Sequence, residues 1–201
     1  YGARHFHFTD ESYPPALFRK LTRGLIDSKM GIAWTTHMRF EKSLLEDQVW
    51  QDAKASGCKY LHFGYESGNE RVLKLMDKAT TTEIMTKHLK YTAEAGIWNH
   101  CMGFFGFPGE TREEAWSSVE FLEQNKDYVH SLGFGTFDLG RHNPVAKHPE
   151  KFGVTAYKNP EWDLALDYYF TVKQGLSIEE AERVFEEFER NHNPGWDLRL
   201  F

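Results

Sequence analysis

The sequence predicts an α/β protein built as a partial, open βα barrel, with parallel strands and flanking helices. Short apolar or aromatic runs alternate with helix-like segments at intervals of roughly 30 residues, the signature of βα units around a parallel sheet. Five such runs are too few for a closed eight-stranded barrel, so an open one fits. Helix starts of the form S/T-x-x-E recur between the runs, at Ser43 to Glu46, Thr80 to Glu83, Thr111 to Glu114 and Ser177 to Glu180. In each, hydroxyl and carboxylate can cap exposed backbone N–H groups reciprocally.

The candidate strands are HFHFT (His5 to Thr9), IAWTTH (Ile32 to His37), YLHFGYE (Tyr60 to Glu66), WNHCMGFFG (Trp98 to Gly106) and SLGFGTFDL (Ser131 to Leu139). Helical patterns fill the gaps: PALFRKLTRGLIDSK, SLLEDQVWQDAKAS, TTEIMTKHLKYTAEA and REEAWSSVEFLEQN. Ser56-Gly57 and Ala95-Gly96 read as helix stops. After Leu139 the pattern loosens into a stretch rich in Pro, Gly, His and Lys, and a last helix follows, SIEEAERVFEEFERN. Its Ala181, Val184, Phe185 and Phe188 fall at core spacing beneath an acidic outer face, which marks a packing helix. Tyr157, Trp162, Tyr168, Tyr169 and Phe170 are expected to pack against it. The division is therefore a partial barrel over residues 1–140 and a C-terminal loop and helical extension over 141–201.

With 201 residues, 40% of them hydrophobic, the chain can bury a real core. A formal charge of -6 argues against a non-specific binder of phosphate backbones, so no nucleic-acid partner is expected. No apolar run reaches membrane-spanning length and no signal peptide is evident, so no membrane partner and a cytoplasmic location are expected. Two cysteines, Cys58 and Cys101, make neither a disulfide framework nor a metal knuckle and read as buried small hydrophobes. The chain opens on Tyr1 with a strand under way a few residues later, which reads as the inside of a longer protein.

Parallel βα sheets bind ligands at the carboxyl ends of their strands. The residues closing the strands are Thr9, Asp10 and Glu11; His37 to Arg39; Glu66, Ser67 and Gly68; and Gly106 to Glu110. All are polar, glycine or turn-forming, although Asp, Ser and Gly also serve such turns purely as caps.

The segments FTDES, AWTTHMR, ASGCKYLHFGYESGNERVLKLMDKATT and AEAGIWNHCMGFFGFPGETREEA together resemble the consecutive strand-end motifs of the radical S-adenosylmethionine superfamily. The likeness runs from Phe6 to Asn125 and is greatest to members that carry an N-terminal cobalamin-binding domain. It implies a partial TIM-like barrel with an iron-sulfur (4Fe-4S) cluster and S-adenosylmethionine at the strand ends. It also implies an oxidoreductase or transferase that generates a 5'-deoxyadenosyl radical to act on a small-molecule or otherwise unknown substrate.

Carried onto this sequence, the resemblance places Asp10 and Glu11 beside the methionine amino group, and Glu66 and Ser67 at the ribose. Lys78 falls near the methionine carboxylate, and Arg39 joins the same rim. Gly106 and Pro108, in the Gly106-Phe107-Pro108-Gly109 turn, run beside the adenine. The family's three-cysteine cluster motif belongs upstream of the strand that ends at Asp10, so the chain reads as strands 2 to 6, a fragment expected to be inactive alone. No catalytic residue or metal ligand is assigned within it. Use of cobalamin in the full-length protein depends on a domain outside this stretch. In the tail, LGRHNPVAKHPEKFGV resembles the sixth-strand exit, where Arg141, His142 and His148 face either substrate or solvent.

Two other readings stand beside this one. His5 and His7 resemble the first-strand H-x-H of metal-dependent barrel hydrolases, with His37, His62 and His100 adding an imidazole on each of three later strands. A cluster-free binding or scaffold module would keep the half-barrel without the chemistry. An open barrel also leaves an unpaired strand edge, which invites an edge-to-edge dimer.

Overall fold

The computed structural model describes residues 2–10, 12–157 and 166–192. Its first part runs β1 (His5–Phe8), α1 (Pro15–Ser28), β2 (Ala33–Met38), α2 (Asp47–Ala55), β3 (Cys58–Glu66), α3 (Glu70–Leu75), α4 (Thr82–Glu94), β4 (Trp98–Phe105), α5 (Arg112–Gln124) and β5 (Ser131–Thr136). The five strands form one parallel sheet in the order β1-β2-β3-β4-β5, each beside its sequence neighbour. This is the open α/β barrel architecture that the strand spacing predicts. Among the described residues no helix is long and apolar enough to cross a membrane.

The extension is richer than a loop and a helix. It contains the short α6 (Pro144–Lys147), β7 (Val154–Tyr157), β8 (Asp167–Val172) and α7 (Ile178–His192); the expected fifth strand stops at Thr136, and Leu139–Gly140 just before the extension forms a separate β6 that joins β7 and β8 in an antiparallel sheet of order β6-β8-β7. Phe170 packs edge-on to Phe137, with ring centroids 5.6 Å apart, in a second core that also takes in Tyr168 and the first turn of α7 at Ile178. Tyr169 is exposed. Trp162 and the side chain of Tyr157 lie outside the described residues.

Side chains alternate across a strand, and here the two faces have different chemistry. Trp34, Leu61, Phe63, Tyr65, Cys101, Phe105 and Leu132 are buried in the main core beneath the helices. Phe40 stacks on Phe63 at 4.5 Å, Trp50 of α2 meets Phe18 of α1 at 5.5 Å, and Phe188 of α7 meets Phe134 of β5 at 5.3 Å. The last helix thus closes the sheet's far end, with Ala181, Val184 and Phe188 buried as their spacing predicts.

The helix starts are realised unevenly. Thr111 and Glu114 form a complete capping box, and Ser177 and Glu180 exchange the same pair of bonds at 3.2 and 2.8 Å. At α4 the cap is Thr81, one residue beyond the expected Thr80, and it accepts from the Ile84 N–H at 3.3 Å. Ser43 caps nothing: it belongs to a 3-10 turn, Lys42–Leu44, and its carbonyl accepts from Arg19. Helix α2 instead begins after Glu46, whose carboxylate is held by the same Arg19 at 3.0 Å.

The turn from β4 into α5 explains its own sequence. Gly106 and Gly109 have φ of 86° and 90°, a left-handed backbone that glycine adopts without a Cβ penalty, and Pro108 lies between them. Fully buried Glu110 folds back so that Oε2 accepts the Gly106 N–H at 2.6 Å, while its own N–H donates to the Phe107 carbonyl at 2.8 Å. The other oxygen, Oε1, has no partner. Burial therefore dominates, and the Glu110 carboxyl is pushed up to about 7.

Two consequences can be measured. A Cβ at Gly68 would lie 2.3 Å from the Tyr65 hydroxyl and 2.7 Å from the Phe121 Cβ, so Gly68→Ala overpacks the β3–α5 contact. Its expected destabilisation is about 1–3 kcal/mol, read as a lower urea midpoint at unchanged m-value. For Glu110 the folded value lies above the ordinary one near 4.5, so the folded state holds a proton that the unfolded chain has released. Its contribution is complete below that ordinary value and is lost as pH rises to 7, by roughly 3 kcal/mol in total. His62 and His88, both lowered to about 4, act oppositely by raising stability with pH up to their ordinary 6.5. Glu110→Gln should therefore gain stability relative to wild type between pH 5 and 7, and parallel pH profiles of the two urea midpoints would refute the assignment.

Candidate functional site

The sheet face away from the helices carries the polar set. Reading along the strands, it presents His7 from β1; Thr35 and His37, with Arg39 just past β2; Tyr60, His62, Gly64 and Glu66 from β3; His100 and Met102 from β4; and Ser131 and Gly133 from β5. A cleft of about 920 Å³ opens over this face, within the range of small-molecule and cofactor sites. Asp10, Arg39, Glu66 and Lys78 all line it, with His37, His62, Gly64 and Met102 beneath.

Each rim residue is held by its local backbone. Asp10 follows β1 and accepts a hydrogen bond from the Tyr13 hydroxyl at 2.9 Å. Glu66 ends β3 at a register shift against β4 and has φ of 63°, a left-handed conformation that is strained for a residue with a side chain. Its Oε1 receives the Lys78 ammonium at 2.8 Å. A Cβ on Gly64 would meet that same Oε1 at 3.0 Å, which accounts for a glycine inside the strand. Lys78 is delivered by the end of α3, where Asp77 takes a φ of 57° and the Lys78 N–H closes on the Leu73 carbonyl at 2.9 Å.

Other expected positions lie elsewhere. Glu11 is outside the described residues. Ser67 is fully buried on the helix side, its Oγ 2.9 Å from the Ser118 Oγ of α5, so its hydroxyl serves the turn and not the cleft. Gly106 and Pro108 are also buried: a Cβ on Gly106 would come within 2.6 Å of the Ala181 Cβ, so this turn is packed under α7. Arg141, His142 and His148 are exposed on the extension.

The histidines form a layer. His37, His62 and His100 are register partners on three neighbouring strands, with ring centroids 4.7 and 5.3 Å apart, and His7 lies 5.4 and 5.6 Å from His37 and His62. His100 Nδ1 pairs with the Ser131 Oγ at 2.8 Å, and His7 Nδ1 with the Thr35 Oγ1 at 2.7 Å. Burial first, then repulsion from His100, His37 and His7, lowers His62 to about 4; burial also lowers His100. Among the described residues no three His, Cys, Asp or Glu groups are placed to hold a metal, so the metal-hydrolase reading gains no support.

The cysteines do not fit an iron-sulfur cluster. Cys58 and Cys101 are fully buried in the core under the helices, and burial pushes the Cys58 thiol up to about 12 and Cys101 higher still. Cluster ligation needs thiolates, which these positions disfavour. The cleft rim does suit a zwitterionic ligand, since it offers Lys78 and Arg39 to a carboxylate, and Asp10 and Glu66 to an ammonium or hydroxyls.

Comparison with known proteins bears on the family and on the fold that carries this cleft. Residues 6–122 match the profile of the Radical SAM superfamily. An uncharacterized methyltransferase of Pyrococcus horikoshii is 29% identical over 62% of this chain and 27% of its own length. The cytidylyl-2-hydroxyethylphosphonate methyltransferase of Streptomyces wedmorensis is 27% identical over 96% of this chain and 37% of its own length. Among solved structures, the radical S-adenosylmethionine methyltransferase TsrM from Kitasatospora setae superposes with a TM-score of 0.66 at 17% identity, over 90% of this chain and 38% of its own. The chain thus spans 27% to 38% of the length of these three proteins. With that profile covering more than half of the sequence, over the first four strands of the parallel sheet, the chain belongs to the radical S-adenosylmethionine superfamily.

Proposed function

We propose that this chain is the nucleotide- and substrate-binding portion of a radical S-adenosylmethionine enzyme of the methyl-transferring kind, and that its cleft rim holds S-adenosylmethionine. The observation that carries this reading is the convergence of Asp10, Arg39, Glu66 and Lys78 on one cleft, from segments that follow three different strands. S-adenosylmethionine, when bound beside a reduced iron-sulfur cluster, supplies a 5'-deoxyadenosyl radical or a methyl group.

The chain's own residues would bind and orient. Lys78 exchanges Glu66 for the methionine carboxylate, at small electrostatic cost because the pair is partly exposed. Glu66 is then free to accept from the ribose hydroxyls. Asp10, locked by Tyr13, accepts from the methionine ammonium, and Arg39 adds positive charge to the same rim. Glu11 belongs with Asp10 in this reading. Gly106 and Pro108 shape the β4–α5 junction from beneath and contribute no side chain to the cleft. The two buried cysteines do not supply the cluster's thiolates in this reading, and cobalamin, which is bound in the TsrM structure, is assigned to no residue of this chain.

The two relatives and the solved structure named above are described as methyltransferases, which favours that reading over a cluster-free scaffold. Binding is the direct test. Lys78→Met should weaken S-adenosylmethionine or S-adenosylhomocysteine by about tenfold or more in equilibrium dialysis, the size of one lost charge-assisted hydrogen bond, with the melting temperature little changed. Equal affinity in wild type and variant would remove the rim from the site. A second measurement addresses the cluster: the chain purified without oxygen, then supplied with iron and sulfide, should show no cluster absorbance, and a stable 4Fe-4S signal would overturn the reading of Cys58 and Cys101.

A further inference from the structure

Among the buried titratable groups that the proposed function leaves unused, His88 is the one whose contacts lead back to the cleft. It is a fully buried residue of α4, and its Nε2 lies 3.0 Å from the Glu41 carbonyl oxygen. We propose that His88 is a positioning residue for the cleft: by holding the Glu41 carbonyl it fixes the turn that presents Arg39 to the bound ligand. This rests on the reading of the rim as an S-adenosylmethionine site and adds to it the residue that sets one wall of that rim.

The turn is the first support. Met38, Arg39, Phe40 and Glu41 form one continuous stretch of the cleft lining where β2 ends. Arg39 is exposed while Met38 and Phe40 on either side of it are buried, so the direction of the guanidinium depends on how the backbone between them is held. Phe40 stacks on Phe63 at 4.5 Å with the ring planes 10° apart. The chain then reverses tightly: the Glu41 N–H donates to the Arg39 carbonyl at 3.0 Å, and the Leu44 N–H to the Glu41 carbonyl at 2.8 Å. With His88 added, that carbonyl has both lone pairs engaged, one by its own turn and one by α4. His88 is thus a tie between the Arg39 segment and a helix that lies behind the cleft.

The surroundings of the ring are the second. A carbonyl oxygen accepts and never donates, so the proton sits on Nε2 and Nδ1 keeps its lone pair. That Nδ1 is buried without a partner among the described residues, and the rings of Trp50, Phe40 and Phe63 lie 5.4, 5.8 and 6.3 Å from the imidazole. The Trp50 indole nitrogen, also buried and unpartnered, is a donor and cannot draw the proton to Nδ1. Burial lowers the imidazole to about 4, so the ring is neutral at neutral pH. A leucine in its place would pack among these rings without burying two nitrogens, one of them unsatisfied, so packing alone is a poor reason for a histidine here. The bond to Glu41 is what a leucine could not supply.

Equilibrium dialysis of the chain with S-adenosylmethionine, beside amide hydrogen exchange of the ligand-free chain, tests this. His88→Leu should weaken binding by about fivefold, the size of one hydrogen bond, and should speed exchange of the Glu41 and Leu44 amides by about tenfold or more. His88→Gln, whose amide N–H can stand where Nε2–H does, should restore both to within about twofold of wild type. In an Arg39→Met background His88→Leu should add little further loss, whereas in a Lys78→Met background it should keep its full effect. Unchanged exchange in His88→Leu, no rescue by His88→Gln, or an equal effect of His88→Leu with and without Arg39 would each overturn the proposal. Imidazole 15N NMR of the wild-type chain, which needs no variant to fold, should show His88 protonated on Nε2, and a proton on Nδ1 would equally overturn it. Absence of S-adenosylmethionine binding by wild type would overturn the cofactor reading instead; the exchange and tautomer readouts need no ligand and decide the turn by themselves.

Discussion

The alternation of side chains across five parallel strands is the constraint on which the rest of the structure depends. All the main helices cover one face, so each strand must send its apolar set that way and its polar set to the other. Register is therefore unforgiving. A slip of one residue in β3 would carry His62 into the core and turn Leu61 and Phe63 into the cleft, exchanging buried aromatic packing for unpaired imidazole nitrogens. The same alternation that buries Trp34, Phe63 and Cys101 is what brings His37, His62 and His100 into one layer.

At the strand ends, where alternation stops, the chain accepts backbone strain. Glu66 takes a left-handed conformation at the bulge between β3 and β4, of a kind that costs on the order of 1–3 kcal/mol, and Gly64 leaves the room it needs. The result is a carboxylate aimed over the sheet and neutralised by Lys78. Glu110 closes the next strand quite differently. It is turned inward, tied to the Gly106 N–H and short of a partner for its second oxygen. Two glutamates that look alike in sequence, each at a strand-to-helix junction, thus do opposite work: one faces ligand space and the other locks a turn.

Much of this was legible in the sequence, because periodicity reports on faces and faces are what the sheet sorts. The five strands, the parallel arrangement, the packing face of α7 and the rim residues Asp10, Arg39, Glu66 and Lys78 all followed from pattern or resemblance. Individual side-chain directions in turns did not. Ser67 follows Glu66 directly, yet the chain has left the strand by then and its hydroxyl meets Ser118. Gly106 and Pro108 promised a backbone close to a ligand, and the close approach is real, but it is to Ala181 of α7. Ser43 could not be told from a cap without knowing that Arg19, 27 residues before Glu46, reaches across to it. The small antiparallel sheet was hidden because β6 and β7 are too short to show a period. The histidines were visible one by one, but only the β2–β3–β4 register makes them a layer.

Rim and floor differ in how they carry charge, and that difference follows from solvent. The rim groups are fixed ions, set at exposed or half-exposed positions where water screens their mutual fields. The floor at His62 and His100 lies deeper, and burial lowers both imidazoles below their ordinary value. A ligand with permanent charges is matched to the first environment, as S-adenosylmethionine is in the proposed function. Rim and floor meet where two strand glycines give way to their neighbours, Gly64 to the Glu66 carboxylate and Gly133 to the His100 ring.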